Sequence, residues 1–366
     1  MGMKRTRVVV AMSGGVDSSV AAARLVEQGY EVIGIHMRLW SSEEEREGNG
    51  CCSIGAAEDC RRICEILGIP FYVVNYRDTF VDKVVRYFEE EYLAGRTPNP
   101  CIMCNRTMKY DALLRQARAL DATYLATGHY ARVVRDPDSG KFHLLEAHDR
   151  AKDQSYVLYH LDQEQLAHTL FPIGEFASKA EVRAFAAAHG LPVAHKPDSQ
   201  EICFVPKQGY RAFLHAQLGE RIQPGEIVDT AGHTVGTHRG IVDYTVGQRK
   251  GIGVSIDGEP AYVVDLDAQH HRVIVGDRQS VLTTGVETGP VHWIDRSRVA
   301  EPLRVRCRVR YHAPWVVGTV SLRSDESAFV SFDTPAQSVT PGQAIVFYDG
   351  EQVLGGGTIV RRQAAA

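Results

Sequence analysis

The stretch that most constrains the fold is residues 7–19, RVVVAMSGGVDSS. An apolar run at Val8–Val10 ends at Ser13-Gly14-Gly15, and a helical pattern opens at Asp17. Adjacent glycines allow a tight turn and a close approach of the backbone to a ligand, because no Cβ stands in the way. The amides that follow lie at a helix N-terminus, where unpaired N–H groups and the helix dipole favour an anion. The stretch therefore predicts a strand, a phosphate-binding loop and a helix.

This loop differs from two common nucleotide-binding patterns. It has neither the glycine–lysine–Ser/Thr ending of a Walker loop nor the three-glycine dinucleotide fingerprint. It resembles instead the pyrophosphate loop of the ATP pyrophosphatases, which split ATP into AMP and pyrophosphate to activate a carbonyl oxygen. The alternative is an ordinary strand–helix turn in which Ser and Asp only cap the helix.

Short apolar strands alternate with longer helical patterns in the first half of the chain, which is typical of a doubly wound parallel sheet. We predict strands at 7–12, 31–37, 70–75 and 122–127, and helices at 18–28, 54–67, 77–94 and 108–119. Gly29 and Gly68 stand where two of these helices should end. Ser13, Met37 and Gly128 fall at or just beyond strand ends, where ligands collect in such sheets. We expect these three segments to line one crevice.

The pattern changes after Pro224-Gly225. Residues 221–277 are rich in Gly, Thr and Val with short strands, and from about residue 281 only alternating β-type runs follow. The predicted fold is therefore α/β. A doubly wound parallel sheet of the ATP-pyrophosphatase type (1–217) precedes a small central β-rich domain (218–280) and a C-terminal antiparallel β-barrel (281–366).

Composition restricts the setting. A chain of 366 residues has room for two or three domains, and 44% hydrophobic with 23% charged residues is typical of a soluble globular protein. No apolar run is long enough to span a membrane, and the basic start at Lys4, Arg5 and Arg7 leads into a strand, so we predict a cytoplasmic protein with no membrane partner. Eight cysteines are too few for a disulfide scaffold and indicate a reducing compartment. The net charge of −4 argues against broad non-specific nucleic-acid binding, yet allows a local basic patch.

Two cysteine segments could carry chemistry: TPNPCIMCN at 97–105 and DSQEICF at 198–204. Pro98 and Pro100 stiffen a loop before a helix that we expect to begin near Asn105. Cys104 would then lie close to a helix N-terminus, where the dipole favours thiolate over thiol. Cys203 lies in a separate, loop-like stretch.

The remaining cysteines fit other interpretations. Cys60 and Cys64 are one helical turn apart and Cys307 alternates inside a strand, so all three are predicted to pack in the core. Cys51-Cys52 stay ambiguous.

The pair Cys101-x-x-Cys104 leaves two alternatives open. A zinc site needs a second ligand pair, and no other cysteines form a C-x-x-C. A thioredoxin-like redox pair normally lies at a helix start in a different sheet context. We favour neither and predict no metal site.

Seven motifs follow one another along the chain: SGGVDSS, GRTPNPCIMCN followed by Lys109, TGHY at 127–130, KDQSY at 152–156, ICF at 202–204, GQRKGIG at 247–253 and TPGQA at 340–344. Taken in this order, they resemble those of the tRNA-specific 2-thiouridylases over essentially the whole chain. The resemblance implies ATP-dependent adenylation of C2 of the wobble uridine, position 34. Sulfur then passes from a cysteine persulfide to give 2-thiouridine, and AMP and pyrophosphate are released. It also implies ATP and Mg²⁺ as cofactors, with Asp17 as a partner of the ion, direct or through water.

The resemblance also implies roles for individual residues. Cys104 would be the catalytic nucleophile and Cys203 the persulfide carrier, with a transient Cys104–Cys203 disulfide. The implied ATP-binding positions are Ala11, Met12, Ser13, Gly14, Gly15, Val16, Asp17, Ser18, Met37 and Gly128. The strip meeting the target base would be Asn99, Pro100 and Cys101, and the tRNA contacts His129, Lys152, Asp153, Gln154, Arg310, Tyr311 and Gln343.

The implied partners are the tRNAs for lysine, glutamate and glutamine, and a persulfide donor such as a cysteine desulfurase or a sulfur-relay protein. One departure concerns proton transfer. Some members carry an aspartate where this chain has Cys101, and a thiol is a poorer proton acceptor at neutral pH.

The run RVRCRVR at 304–310 supplies a candidate RNA-facing surface on the barrel. Period-two alternation would put Arg304, Arg306, Arg308 and Arg310 on one strand face, with guanidinium groups that suit phosphates and stacked bases. The alternative is a solvated strand face.

Two other functions compete with tRNA thiolation. One is an amidotransferase or ligase of the same ATP-activating superfamily acting on a small molecule, which would need neither Cys203 nor an RNA-facing barrel. The other is a non-catalytic RNA-binding module with a vestigial nucleotide site and a structural metal at Cys101 and Cys104.

Overall fold

The computed structural model describes residues 5–40, 54–198, 202–256, 258–299, 302–337 and 339–364. The chain divides into two compact units, the first formed by 1–84, 101–204 and 351–353, the second by 85–100, 205–350 and 354–366. Cys51 and Cys52 lie outside the described residues, as do residues 199–201 of the second cysteine segment.

The strands of the first unit are named here in chain order. They are β1 (Arg7–Ala11), β2 (Glu31–Arg38), β3 (Phe71–Asn75), β4 (Tyr124–Ala126), β5 (Ala131–Arg135), β6 (Phe142–Glu146) and β7 (Thr169–Leu170). Five of them form a sheet of order β3-β2-β1-β4-β7 in which every neighbouring pair is parallel. The predicted doubly wound parallel sheet is confirmed.

Helices in the described chain surround this sheet or belong to the second unit. They are α1 (Val16–Glu27), α2 (Ile54–Leu67), α3 (Arg77–Phe80), α4 (Arg86–Leu93), α5 (Pro100–Cys104), α6 (Leu114–Ala119), α7 (Gln163–Ala167), α8 (Lys179–Ala188) and α9 (Tyr210–Leu218). π-helical segments at Val81–Val85 and Asn105–Leu113 join α3 to α4 and α5 to α6. None of the helices in the described ranges is both long and apolar enough to cross a membrane.

The core of the first unit lies between the sheet and its helices. Val8 and Val10 of β1 are fully buried, and α1 packs its small residues Ala21, Ala22 and Ala23 against the same cluster. Gly29 and Gly68 have φ of +83° and +65° and follow the ends of α1 and α2, as predicted. This φ is strained for a residue with a Cβ, so glycine suits both helix ends.

The helix after the Pro-rich loop begins earlier than predicted. We expected its start near Asn105, but α5 starts at Pro100 and continues without a break into the π-helical segment. Proline suits the first helical position because its φ is already helical and its missing N–H would be unpaired there. Cys101, not Cys104, therefore lies in the first turn, and the dipole argument made for Cys104 was wrong.

Sequence reasoning also missed an antiparallel hairpin within the helical half. β5 and β6 pair from Ala131–Glu146 to Arg135–Phe142, and Gln352 and Val353 pair with the other edge of β6. Gln352 and Val353 lie more than 200 positions beyond β6 in the chain. Local sequence patterns do not encode a pairing over such a distance.

The second unit contains a central sheet and a barrel. The strands of the central part are β8 (Gly225–Asp229), β9 (Thr234–His238), β10 (Ser255–Ile256), β11 (Glu259–Pro260), β12 (Tyr262–Asp267) and β13 (Arg272–Gly276). The four-stranded sheet has the order β12-β13-β8-β9, and β10 pairs with β11. Its core centres on Ile227, Val263, Val273 and Val275.

The barrel strands follow. They are β14 (Thr283–Thr288), β15 (His292–Trp293), β16 (Leu303–Arg308), β17 (Val316–Leu322), β18 (Ala328–Ala336), β19 (Ala344–Asp349) and β20 (Gln352–Ala364). The order β14-β18-β17-β16-β19-β20 closes because β14 also pairs with β20. The predicted C-terminal antiparallel barrel is confirmed, and closure removes the exposed edges that an open sheet would have.

One close backbone contact in the first unit yields a stability prediction. A Cβ on Gly174 would lie 1.8 Å from the carbonyl oxygen of Ala131, so the backbone would have to move. We expect Gly174→Ala to lower the free energy of unfolding by roughly 1–3 kcal/mol. Gly289→Ala is the control, because its Cβ would meet only a Val360 methyl at 3.8 Å. Equal denaturation midpoints for the two variants would contradict this account.

Candidate active site

The SGGVDSS loop is held in shape by its own hydroxyl groups. Ser18 Oγ accepts from the Ser13 amide at 3.2 Å, and Ser19 Oγ donates to the Gly15 carbonyl at 2.7 Å. Gly14 has φ of +72°, and a Cβ there would lie 2.7 Å from the Ala56 carbonyl oxygen of α2. Gly15 is the N-cap residue of α1, so the first amides of the helix face the loop without a capping side chain. This is the geometry of an anion site at a helix N-terminus.

The predicted ATP-binding segments end at one edge of the sheet. Strands β2, β1 and β4 are neighbours and parallel, so the residues that follow their carboxyl ends lie side by side. Gly128 packs directly on the loop: a Cβ there would lie 2.6 Å from the Ser18 amide nitrogen. Met37 is buried near the end of β2. The sheet order agrees with the expectation that the segments at Ser13, Met37 and Gly128 lie side by side. The contacts of these residues with ATP stay predictions.

Two lysines that sequence reasoning missed reach this loop. Lys179 Nζ donates to both carboxylate oxygens of Asp17, at 2.7 and 2.8 Å, and Lys196 Nζ donates to the Gly14 carbonyl at 2.9 Å. Lys196 also contacts Asp59, at 2.7 Å. Both lie about 160–180 positions beyond the loop, and no local pattern marks them. They bring positive charge to a loop that lacks the Walker lysine.

A carboxylate on the segment leading to Cys203 belongs to the same network. Asp198 accepts from Lys152 at 3.0 Å, and from Lys179 and Arg183 at 2.9 Å each. Burial alone would raise the pKa of Asp198, but the hydrogen bonds from Lys179 and Lys152 outweigh it and lower that pKa. Lys179 thus bridges Asp17 of the phosphate loop and Asp198 of the cysteine segment.

Exposure divides the described cysteines into two groups. Cys60, Cys64 and Cys307 are buried, and burial raises the pKa of their thiols to about 12, 11 and 12. Their predicted packing role is confirmed, since a buried thiol of such pKa is unreactive. Cys101 is exposed, and Cys104 and Cys203 are half-buried. The three cysteines singled out for chemistry are those that solvent reaches.

Cys101 is suited to remain a thiol. Although solvent reaches its side chain, the surrounding protein desolvates it and raises the pKa of the thiol, an effect that the charge of Lys109 partly offsets. A thiol with a raised pKa is a weak proton acceptor at neutral pH, which agrees with the doubt raised by the departure from aspartate.

Several residues expected to contact tRNA have side chains engaged within the protein. Asp153 is buried and accepts from the Ala147 amide at 2.9 Å and from Ser155 Oγ at 2.7 Å. Gln154 Oε1 accepts from the Tyr130 amide at 3.0 Å. His129 is buried, with 7% of its surface exposed. Their tRNA contacts stay predictions, and the contacts observed are ones that shape the loop at 152–155.

Gln343 holds the Pro-rich loop. Its Nε2 donates to the carbonyls of Thr97 and Pro98, at 2.8 and 3.2 Å, and the Thr97 amide donates to the Pro341 carbonyl at 2.8 Å. Gln343 is 6% exposed. The turn at 340–343 therefore fixes the backbone just before Asn99 and Pro100, the predicted base-contacting residues.

The face of alternating arginines predicted at residues 304–310 of the barrel is only partly present. Val305, Cys307 and Val309 face the core as expected, but Arg308 is buried beside Trp315, with its guanidinium carbon 4.2 Å from the ring centroid. Arg306 stacks on the same ring, at 4.0 Å, and β16 ends at Arg308. Arg306 and Arg308 therefore share a face as predicted, but Trp315 covers Arg308 there, and Arg310 lies beyond the end of β16, so the four arginines do not form one exposed strand face. Arg310 is exposed and Tyr311 half-exposed.

The fold and the SGGVDSS loop together define the class of protein. It has a nucleotide-binding domain with a pyrophosphatase-type loop, followed by two β domains. The family models that match are the tRNA methyl transferase HUP domain over residues 6–207, the tRNA methyl transferase PRC-barrel domain over 211–277 and the aminomethyltransferase beta-barrel domain over 283–359.

Curated relatives match over nearly the whole chain. The tRNA-specific 2-thiouridylase MnmA of Heliobacterium modesticaldum is 51% identical over 98% of this chain and 93% of its own length. Those of Symbiobacterium thermophilum and Natranaerobius thermophilus are 50% and 47% identical, covering 97% and 98% of this chain and 92% and 98% of their own lengths. The chain belongs to the tRNA-specific 2-thiouridylase family. As a member of a family of sulfurtransferases it is an enzyme, as predicted.

The Gln343 contacts predict a positioning role. We expect Gln343→Ala to lower the rate of 2-thiouridine formation roughly tenfold by releasing the loop. Gln343→Glu should be as damaging, since an ionised carboxylate cannot donate to two carbonyls. Gln217→Ala on the exposed face of α9 is the control. If both Gln343 variants lower tRNA affinity in proportion to the rate, Gln343 acts by contacting tRNA and not by holding the loop.

Proposed function

We propose that this protein thiolates tRNA: it adenylates the C2 oxygen of the wobble uridine at position 34 with ATP, then replaces that oxygen with sulfur from a persulfide on Cys203. The products are 2-thiouridine, AMP and pyrophosphate. The observation that carries the proposal is the presence, in one compact unit, of a phosphate loop and of the solvent-accessible cysteines Cys101, Cys104 and Cys203.

Activation comes first because a uracil carbonyl is a poor electrophile with a poor leaving group. The C2 oxygen attacks the α-phosphorus of ATP, the bond to the pyrophosphate breaks, and the N3 proton is lost as the O2-adenylate forms. The amides at the start of α1 are suited to bind the departing pyrophosphate, whose charge Lys179 and Lys196 would neutralise. To do so, Lys179 must leave Asp17.

Movement of Lys179 from Asp17 to the phosphates would also affect where Mg²⁺ can bind. The ion usually takes one or two protein carboxylates together with phosphate oxygens and water, so Asp17 alone is a sufficient protein ligand. Both Asp17 oxygens contact Lys179 in the structure, and Oδ1 also accepts from the Tyr130 hydroxyl at 2.7 Å. Once that ammonium turns to the phosphates, Oδ2 would become available to the ion. When bound, the ion would neutralise phosphate charge.

Sulfur transfer then uses two cysteines. The terminal sulfur of the Cys203 persulfide attacks C2, and AMP leaves with the electron pair of the C2–O2 bond. A Cys104 thiolate attacks Sγ of Cys203, the persulfide S–S bond breaks, and its electron pair stays on the sulfur now bound to C2. The result is 2-thiouridine and a Cys104–Cys203 disulfide, which an external thiol reductant reopens. In the variant route Cys104 first releases the sulfur as sulfide, and the same disulfide forms.

For partners we propose the tRNAs for lysine, glutamate and glutamine, and a cysteine desulfurase or sulfur-relay protein as persulfide donor. Arg310 and Tyr311 support an RNA contact on the barrel, because they combine an exposed guanidinium with an accessible ring.

The decisive experiment is mass spectrometry of tRNA nucleosides from cells with and without the protein. Loss of 2-thiouridine at position 34 in the deleted strain, restored by the wild-type gene, is the expected result. Unchanged 2-thiouridine together with AMP formation from ATP and a small amide or acid would favour the small-molecule ligase instead.

Asp17 provides a test of the adenylation step. We expect Asp17→Ala to abolish tRNA-dependent AMP formation while tRNA affinity stays within a few-fold of wild type, because Asp17 lies in the phosphate loop. Glu58→Gln on α2, whose side chain is 62% exposed, is the control. AMP production at the wild-type rate by Asp17→Ala would remove Asp17 from the mechanism.

The three accessible cysteines should behave differently when changed to serine, which is nearly isosteric but neither forms a thiolate nor carries sulfur. Cys203→Ser should accept no persulfide from a desulfurase, and Cys104→Ser should accept it but form no 2-thiouridine. Cys101→Ser should keep substantial activity. Persulfide mapping with a 2-thiouridine assay measures all three. A Cys101→Ser enzyme as inactive as Cys104→Ser would show that the wrong member of the C-x-x-C pair was assigned the chemistry, or that both cysteines are ligands of a metal.

A further inference from the structure

A lysine–histidine pair in the first unit, in which His129 is buried and Lys109 half-buried, has no role in the steps above. Lys109 lies in the π-helical segment that continues α5, and its Nζ is 3.2 Å from Nε2 of His129. His129 Nδ1 is 2.7 Å from Thr127 Oγ1, which in turn is 3.4 Å from the hydroxyl of Tyr110. Tyr110, Thr127 and His129 are all buried.

The contacts determine the protonation of the ring. An ammonium can only donate, so Nε2 of His129 accepts from Lys109, and the ring proton lies on Nδ1, where it is donated to Thr127. Burial and the charge of Lys109 lower the pKa of His129 well below its usual value. His129 is therefore a neutral ring that holds a charged lysine in one orientation.

Position gives this lysine its significance. His129 directly follows Gly128, whose backbone packs on Asp17 and Ser18 of the phosphate loop. Lys109 is five residues beyond Cys104, and its charge acts on the Cys101 thiol. Lys109 thus connects the edge of the nucleotide loop with the helix that carries the two cysteines.

In both halves of the proposed reaction, negative charge develops on the phosphate group that becomes AMP. During adenylation it grows on the α-phosphate, and during sulfur attack it grows on the AMP group as the C2–O2 bond breaks. A fixed, partly desolvated ammonium stabilises such charge far better than water does, because it needs no reorientation.

We propose that Lys109 is a further catalytic residue, whose ammonium binds the α-phosphate during adenylation and again as AMP leaves, and that His129 is its positioning residue. This inference rests on the proposed thiolation. It assigns His129 a task inside the protein, in addition to the tRNA contact that the family resemblance implies.

The test separates the two half-reactions in the full-length enzyme with substrate tRNA. AMP formation is measured from ATP labelled at the α-phosphate, and 2-thiouridine is measured with persulfide-charged enzyme. We expect Lys109→Met to lower kcat for AMP formation by about 100-fold, with the KM for tRNA changed only a few-fold. Lys83→Met, an exposed lysine paired with Asp82, is the matched control.

Two substitutions of His129 by amide side chains test its positioning role. His129→Gln places an acceptor where Nε2 lies, whereas His129→Asn leaves Lys109 without one. We expect Asn to lower kcat for AMP formation roughly tenfold, Gln to restore most of it, and neither change to add to Lys109→Met. Equal losses for Asn and Gln, or additive losses with Lys109→Met, would show a packing role and overturn the positioning assignment.

Thermal unfolding of each variant accompanies the kinetics. If Lys109→Met is unfolded, Lys109→Arg takes its place: it keeps the charge but moves the donor atoms, so kcat should fall about tenfold at an unchanged Tm. Wild-type AMP formation by the folded Lys109 variant overturns the proposal and leaves thiolation standing. A wild-type enzyme that forms neither AMP nor 2-thiouridine overturns the proposed function itself, and the Lys109 assignment with it.

Discussion

The close approach of backbone segments around the start of α1 is the constraint on which the rest of the first unit depends. Gly14 lies against the Ala56 carbonyl of α2, and Gly128 lies against the Ser18 amide. Lys196 ties the Gly14 carbonyl to Asp59. A side chain at either glycine would separate the loop from its neighbours. These contacts leave the helix amides pointing at the space where a phosphate would bind.

Near the SGGVDSS loop, one lysine ammonium forms ion pairs with two carboxylates. Lys179, at the start of α8, contacts Asp17 and Asp198 and is only 13% exposed in its side chain. A polyphosphate would compete with both carboxylates for this ammonium. A nucleotide bound at the loop would therefore change the electrostatic environment of Asp198, five residues before the cysteine proposed to carry sulfur.

The sequence predicted the parts of the structure that local patterns encode. Strand–loop–helix order around Gly14, the ends of α1 and α2 at Gly29 and Gly68, and the alternating barrel strands all follow from short-range rules. The start of α5 was misplaced because two prolines were taken as a loop signal, although the second is a good first residue of a helix.

Long-range partners were beyond the reach of sequence patterns. Lys179 and Lys196 are ordinary lysines in ordinary segments, and only the folded chain brings them to the loop. Arg308 was assigned to the wrong environment for a different reason: Trp315, seven positions along the chain and just before β17, covers it, and strand alternation does not show which ring lies over a face. The cysteines were sorted correctly because burial of Cys60, Cys64 and Cys307 follows from helix and strand periodicity.

The turn at 340–343 makes the barrel indispensable to a segment almost 250 positions upstream. Gln343 and Pro341 bond to the backbone at Thr97 and Pro98, and Gly342, with φ of +92°, would collide with Thr97 if it carried a Cβ. A chain shortened before residue 340 would keep every cysteine yet lose the clamp on the strip leading to Cys101. Within the second unit the barrel is thus not a detachable module, and trimming its C-terminal strands should release the backbone at residues 97–98.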